Sequence, residues 1–327
     1  MNIMLLSGAG FIGTNLMIAL AADSRNRITV VDTKLEYCMH IEEKGYENVR
    51  CIESQFLLET DFEKLIEGQD VIYHLFSTTV PTTSNRHISQ ELMNNVVTTS
   101  NLLDACIKRG VKKIVFLSSG GTVYGKEVGC PLKEETPTKP ISSYGIQKIT
   151  VEKLLYLYQY MYGLDYRVVR LSNPYGPYQR PNGVLGAVST FTYKALKQEE
   201  ISVYGDGSII RDFIYIDDAV RGILNIVKGE SNHRTFNLGS GYGTSIEVVI
   251  NTISEALDIK LNVIHTPARK VDVPINFLDI SRYEETYGKL NPIDLKEGII
   301  KTARFMTDYY ELKSPNSIKL KTGKSLI

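Results

Sequence analysis

Short apolar runs alternate with longer stretches of helical periodicity through the first half of the chain. Asn2–Leu6, Arg27–Val31, Val49–Ile52, Val71–Leu75 and Lys113–Leu117 are brief and bounded by turn or charged residues, the pattern of strands buried on both faces. Between them, Ile12–Ala22, Phe62–Glu67 and Gln90–Arg109 carry helical spacing, and Ser142–Tyr162 and Asp165–Leu171 continue as a long helix and a further strand. Strand–helix–strand alternation predicts an α/β fold, a doubly wound parallel sheet with right-handed crossovers. After Asn173 the rhythm changes. Pro174, Gly176, Pro177, Pro181 and Gly183 mark a long loop, and the later segments are shorter and mixed. This predicts a sheet domain over residues 1–172 and a smaller mixed α/β C-terminal substrate lobe over 173–312. Segments near 210–240, Arg234–Leu238 among them, are expected to rejoin the sheet. Residues 313–327 are Lys-rich and poor in apolar residues, and read as a tail without fixed structure.

Composition narrows the partners. The 327 residues hold 37 basic and 37 acidic side chains, so no global field draws the chain to nucleic acid or an anionic membrane. Anionic ligands must be bound by local groups. Cys38, Cys51, Cys106 and Cys130 lack metal spacing, and the expectation is reduced thiols and no metal. No apolar run approaches the roughly 18 residues of a membrane span, and the N-terminus has no basic leader pattern, so a soluble, cytoplasmic protein is expected.

One local group is the loop Gly8-Ala9-Gly10-Phe11-Ile12-Gly13, which follows the first strand and opens a helix. Glycines let the backbone approach a pyrophosphate, whose charge meets the helix N-terminus. Asp32 lies 19 residues beyond Gly13 at the end of the second strand, where a carboxylate accepts bonds from an adenosine ribose. Together they predict a Rossmann-type dinucleotide site. A carboxylate there repels a 2′-phosphate, which favours NAD over NADP, although Lys34 nearby works slightly the other way.

A second local group carries chemistry. Tyr-x-x-x-Lys occurs three times, as Tyr144/Lys148, Tyr193/Lys197 and Tyr309/Lys313, each with both residues on one helical face. Most such pairs are surface contacts. Only Tyr144 follows a strand whose carboxyl end bears hydroxyls, at Ser118, Ser119 and Thr122, on the edge where open α/β sheets bind ligands. An ammonium at Lys148, with a cationic nicotinamide, is expected to favour the phenolate and depress the pKa of Tyr144, which suits oxidising or reducing a hydroxyl-bearing carbon.

With these motifs stand His74-Leu75-Phe76-Ser77, Asn95, Arg170-Leu-Ser-Asn173-Pro-Tyr-Gly, Val203-Tyr-Gly-Asp-Gly207, Arg211-Asp212-Phe213 and Arg269-Lys-Val-Asp272. The chain resembles extended short-chain dehydrogenases/reductases of the NAD-dependent epimerase/dehydratase family, most of all the UDP-glucose (galactose) 4-epimerase-like group, up to about residue 310. The resemblance implies NAD contacts at Gly10, Phe11, Ile12, Asp32, Leu75, Phe76, Ser77, Asn95, Ser118, Tyr144 and Lys148. It implies nucleotide-sugar contacts at Thr79, Asn173, Tyr204, Arg211, Arg269, Asp272 and Asn276, with the two arginines clamping a diphosphate. It also implies a homodimer, in which Gln90–Arg109 and Ser142–Tyr162 pair with a second copy as a four-helix bundle.

Three positions depart from the family pattern. Ser7 replaces the first loop glycine, Gln55 stands at an adenine-contacting Asp position, and Gly120 replaces the hydroxyl residue that bonds the reacting sugar oxygen. Ser119 or Thr122 must then supply that hydroxyl, Thr122 slightly favoured. Gly121-Thr122 also replaces the Asp-Glu pair of 4,6-dehydratases, which leaves elimination without its acid. The expected activity is 4-epimerisation of a UDP-hexose or UDP-N-acetylhexosamine. A nucleotide-sugar 4-reductase or dehydrogenase, and an inactive binding protein, are the alternatives.

Overall fold

The computed structural model describes residues 1–81, 83–126, 129–181, 186–268 and 273–312, so the expected tail lies outside the described residues. The first half forms strands β1 (Asn2–Leu6), β2 (Arg27–Asp32), β3 (Val49–Glu53), β4 (Val71–His74), β5 (Lys113–Ser119) and β6 (Asp165–Leu171). The second half adds β7 (Asn173–Tyr175), β8 (Ile201–Tyr204), β9 (Ile210–Arg211), β10 (Phe213–Tyr215), β11 (Thr235–Leu238), β12 (Thr244–Ser245), β13 (Val263–Thr266) and β14 (Ile275–Asn276).

Seven strands make one parallel sheet in the order β11-β6-β5-β4-β1-β2-β3. Successive residues face opposite layers: Leu5, Val30, Val115 and Val169 enter one apolar cluster, and Leu6, Val31, Phe116 and Val168 the other. Apolar residues at both parities require helices on both faces, which explains the continuous rather than alternating strand sequences. Strand order reverses between β1 and β4, and the loops leaving β1, β4 and β5 converge at this switch point. β11 pairs with β6 through Thr235 and Val168, as the sequence suggested for Arg234–Leu238.

Helix ends follow local chemistry. Ser142 accepts a bond from Gly145 N at 3.2 Å and starts the helix Ser143–Tyr162, which Gly163 ends at φ 74°. The helix anticipated over Gln90–Arg109 begins two residues earlier and contains a π-helical turn, Met93–Val97, between Ile88–Leu92 and Thr98–Arg109. Such turns redirect side chains and recur at functional sites.

The smaller lobe combines the pairs β7–β10 and β8–β13 with the sheet β12-β9-β14. Asp212 joins it to the main sheet. Its carboxylate, 0% exposed, accepts from Ser240 N, Ser240 Oγ and Leu278 N at 2.7, 2.8 and 3.2 Å. Burial pushes this carboxyl up, and the donors oppose the shift.

Ser7 leaves β1 in the left-handed region, φ 61°, which costs an L-residue about 1 kcal/mol. The glycine missing here is thus missing at a position whose backbone calls for it. Ser7→Gly is expected to raise unfolding free energy by about 0.5 kcal/mol, part of the relief being offset by a freer unfolded chain. A urea midpoint that stays put or moves down would contradict this.

Candidate active site

The glycine loop is held by close backbone approach. A Cβ on Gly13 would lie 2.4 Å from the Gly8 oxygen, and one on Gly8 would lie 2.7 Å from Leu5 Cβ. Gly10 is exposed and starts the helix Phe11–Ala21 without a side-chain cap, which leaves first-turn N–H groups for an anion. Phe11 and Ile12 are half-buried beside it. Asp32, 6% exposed, accepts from Ala9 N at 3.0 Å and Thr33 N at 2.8 Å, so the acid at the end of β2 is tied to the loop after β1. The cradle that a Cβ would fill, the uncapped helix start and the anchored carboxylate together fit a dinucleotide. Lys34 pairs with Glu36 at 3.3 Å, and Gln55 Nε2 donates to the Thr33 carbonyl at 2.9 Å.

At the end of β5 the helix Ser143–Tyr162 presents Tyr144, half-buried, and Lys148, buried. Lys148 Nζ lies 5.4 Å from the Tyr144 ring centroid and 4.7 Å from that of Phe116, and donates to the Leu117 carbonyl at 2.8 Å. Both face a cleft lined by Ser77, Asn95, Gln147 and Phe116. Burial pushes the Tyr144 phenol up to about 12. Burial also pushes Lys148 down to about 8, the Glu152 carboxylate opposing. The expected depression of the phenol invoked a cationic nicotinamide as well as Lys148, and Lys148 alone does not produce it. The ammonium is engaged by Leu117, burial prevails, and a further positive charge beside the ring is needed to reverse it.

Asn95 sits in the π-helical turn and is fully engaged. Its Oδ1 accepts from Thr78 N at 2.9 Å, and its Nδ2 donates to Gln147 Oε1 at 2.8 Å, Thr78 Oγ1 at 2.9 Å and the Glu91 carbonyl at 3.0 Å. Thr79, also buried, reaches the same Gln147 oxygen at 3.4 Å. Leu75 follows β4, half-buried. Phe76 stacks between His74 and Phe56 at 4.0 and 4.9 Å, and Ser77 Oγ donates to the Thr79 carbonyl. Ser118 and Ser119 part as strand neighbours do: Ser118 Oγ donates to Glu152 Oε1 at 2.5 Å, on the buried side.

Gly120 explains its own departure from the family pattern. A Cβ there would lie 2.6 Å from Leu278 Cδ1, so a side chain at this position has no room. Thr122 has a buried hydroxyl with no partner, while its carbonyl abuts Gly145, where a Cβ would lie 2.7 Å away. A buried hydroxyl left unsatisfied beside the Tyr144 helix is a polar group that still calls for a partner. The nearest oxygen to a Cβ on Gly121 is Ser119 Oγ, at 3.9 Å.

Of the substrate-lobe candidates, Asn276 comes back to this loop, its Nδ2 donating to the Gly121 carbonyl at 3.4 Å. Asn173 Nδ2 donates to the Asp212 carbonyl at 2.9 Å, and Arg211 Nη1 donates to the carbonyls of Ile210 and Val273 at 2.8 and 2.6 Å. Tyr204 is 48% exposed. Arg269 and Asp272 lie outside the described residues. Sequence reasoning assigned no role to Gln147, Glu91, Glu152 or Arg170, although Glu152 continues the i, i+4 spacing of Tyr144 and Lys148. Of the decoys, Tyr193/Lys197 is a surface contact with Lys197 paired to Glu199 at 2.6 Å. Among the described residues no group of three or more His, Cys, Asp or Glu could hold a metal ion, and no helix is long and apolar enough to cross a membrane.

A family model described as the NAD dependent epimerase/dehydratase family matches residues 3–239. The UDP-glucose 4-epimerase of Mycolicibacterium smegmatis is 30% identical over 93% of this chain and 98% of its own. A dTDP-4-dehydro-6-deoxyglucose reductase of Escherichia coli is 28% identical over 92% and 96%. The crystal structure of the UDP-glucose 4-epimerase of Thermotoga maritima with UDP-glucose superposes with a TM-score of 0.87 at 32% identity, covering 95% of this chain and 100% of the other.

The glycine loop yields a direct test. Gly13→Ala forces its methyl group against Gly8, and is expected to weaken NADH binding, followed by fluorescence titration, at least about tenfold, or about 1.4 kcal/mol. Binding within twofold of the parent would remove the loop from the cofactor site.

Proposed function

The chain belongs to the NAD dependent epimerase/dehydratase family and is an NAD-dependent enzyme of it, and from that premise we propose that it is a nucleotide-sugar 4-epimerase. The substrate proposed is a UDP-hexose or UDP-N-acetylhexosamine. The observation that carries this reading is Tyr144 and Lys148 at the end of β5 beside Gly121-Thr122, a segment without a carboxylate. Elimination and decarboxylation each need an acid there, whereas epimerisation needs only a group that takes and returns one proton.

Held by the glycine loop and Asp32, NAD would supply a hydride acceptor and donor for C4 of the sugar, so the reaction would need no net oxidant. Tyr144, as phenolate, takes the C4 hydroxyl proton and gives it back to the same oxygen, inversion at C4 coming from return of the hydride to the opposite face once the sugar has turned. Lys148 supplies one positive charge beside the ring, and the nicotinamide of NAD would supply the further one that phenolate needs. The unpartnered Thr122 hydroxyl holds the C4 oxygen in place of the group missing at Gly120, with Ser119 as its alternative. Asp32 bonds the adenosine ribose and selects against a 2′-phosphate. Arg211 and Arg269 hold the diphosphate while the sugar turns. Asn276, smaller than an aromatic ring, leaves room for a C2 acetamido group. The reductase reading keeps support from the Escherichia coli relative, since reduction uses the same proton relay.

A homodimer is part of the proposal. Tyr156, Leu157, Tyr160, Met161 and Tyr162 are exposed along the helix Ser143–Tyr162, and Met93 and Val97 are exposed on the helix beside it. Tyr158 instead turns inward to Asp104 at 2.6 Å. Apolar area of this kind suits a second copy.

Incubation with UDP-galactose, UDP-glucose and their N-acetyl forms, without added cofactor, should interconvert C4 epimers, resolved by NMR. Tyr144→Phe should lower turnover by about 10²–10⁴ while keeping NAD binding. Thr122→Ala should cost about tenfold, with Thr122→Ser largely retaining activity. Stoichiometric NADH consumption without epimer formation would favour the reductase. For the assembly, sedimentation should give close to twice the chain's 36.7 kDa; a monomer at micromolar concentration would remove the dimer from the proposal.

A further inference from the structure

Lys148 is 7% exposed, donates to the Leu117 carbonyl, and enters none of the ion pairs among the described residues. One turn further along the same helix lies Glu152, also 7% exposed. Its Oε1 accepts from Ser118 Oγ at 2.5 Å, and its Oε2 accepts from Arg170 Nη2 at 2.7 Å, with Arg170 Nε at 3.2 Å from Oε1. Leu117 and Ser118 are consecutive in β5. Two neighbouring residues of the strand thus hold two side chains one turn apart on the helix, the first through a carbonyl and the second through a hydroxyl. Two such attachments prevent the helix from sliding or rolling on the strand end. Tyr144, one turn the other way, is placed by the same pair.

Arg170 is held from behind by Tyr124 OH at 3.0 Å and the Glu134 carbonyl at 3.1 Å, and Tyr124 OH donates to Asn237 Oδ1 at 2.6 Å. Glu152 is therefore held from both sides, by Ser118 and by Arg170. Other groups face Lys148. Tyr144 is on its own helix. His74 on β4 is kept neutral by burial, which pushes it down to about 3. Asn95 and Thr99 on the neighbouring helix are uncharged, and the guanidinium of Arg170 on β6 lies behind Glu152. Glu91 is turned to Ser143 and Gln147 at 2.6 and 3.1 Å.

Building on the Tyr144/Lys148 assignment, we propose that Glu152 is a positioning residue for that pair: it grips Ser118 to lock the helix onto the end of β5, and supplies the counter-charge for the buried ammonium. The expected consequences separate these roles from simple packing. In lysine-labelled protein, with the Lys148 NMR signal identified by its loss in Lys148→Arg, Glu152→Gln should lower the Lys148 titration midpoint by about one pH unit. The alkaline limb of turnover should move down with it. That titration needs no substrate, so it reads the role of Glu152 separately from the epimerase assignment. Should Glu152→Gln fail to fold because Arg170 is left unpaired, Glu152→Gln with Arg170→Met removes both charges, and the midpoint should fall there too. A loss of thermal stability with the Lys148 midpoint unmoved, in either variant, would overturn the proposal.

Discussion

The buried ammonium of Lys148 is the charge around which the centre of the molecule is arranged. Taking a charge out of water costs several kcal/mol unless other groups replace the solvent. The Leu117 carbonyl supplies a dipole at 2.8 Å, the face of Phe116 adds its quadrupole, and Glu152 supplies the opposite charge one turn away. Each partner sits where an element ends or turns. The end of β5 offers a carbonyl free of the ladder, Ser142 starts the helix at the phase that aims Lys148 at it, and β6 carries Arg170 beneath Glu152. If any of these elements shifted, the ammonium would lose a partner and Tyr144 its position.

Close backbone approach is the second requirement of this centre. Gly145 lets the helix come up to the Thr122 carbonyl, and Gly13 lets the first helix come up to Gly8. Gly120 admits Leu278 from the smaller lobe, so that lobe is packed directly against the loop after β5. The contact explains why the hydroxyl usual at position 120 is missing: its volume is occupied by leucine methyl groups. The Thr122 hydroxyl, two residues on, is buried without a partner.

The departures from the family pattern thus differ in kind. Ser7 keeps the left-handed backbone that glycine would adopt more readily, so the turn survives with strain. Gln55 bonds the Thr33 carbonyl and steadies the segment after Asp32. Gly120 reflects repacking between lobes. None of them disturbs the link from Asp32 to Ala9 or the contact of Lys148 with Tyr144.

The parallel sheet, the glycine loop with Asp32, and the Tyr144/Lys148 pair were legible in the chain because each depends on short-range pattern. Strand runs and helical periods are local, and a glycine turn or an i, i+4 pair needs only its own element. Even β11 was anticipated, as the segment Arg234–Leu238 expected to rejoin the sheet. The π-helical turn at Met93–Val97 was not, since no residue in it forbids an ordinary helix and its cause lies in the bonds of Asn95 to Thr78 and Gln147. The raised phenol of Tyr144 in the protein alone was not legible in the chain, because desolvation depends on what surrounds a ring. Likewise the Ser118–Glu152–Arg170 assembly joins a strand, a helix and a second strand, and Leu278 reaches Gly120 across 158 positions of chain. The sequence alone determined which elements form and which groups could carry proton transfer. Only the tertiary structure decided which of those groups are desolvated, paired or left open, because burial and charge are properties of neighbours brought together from distant parts of the chain.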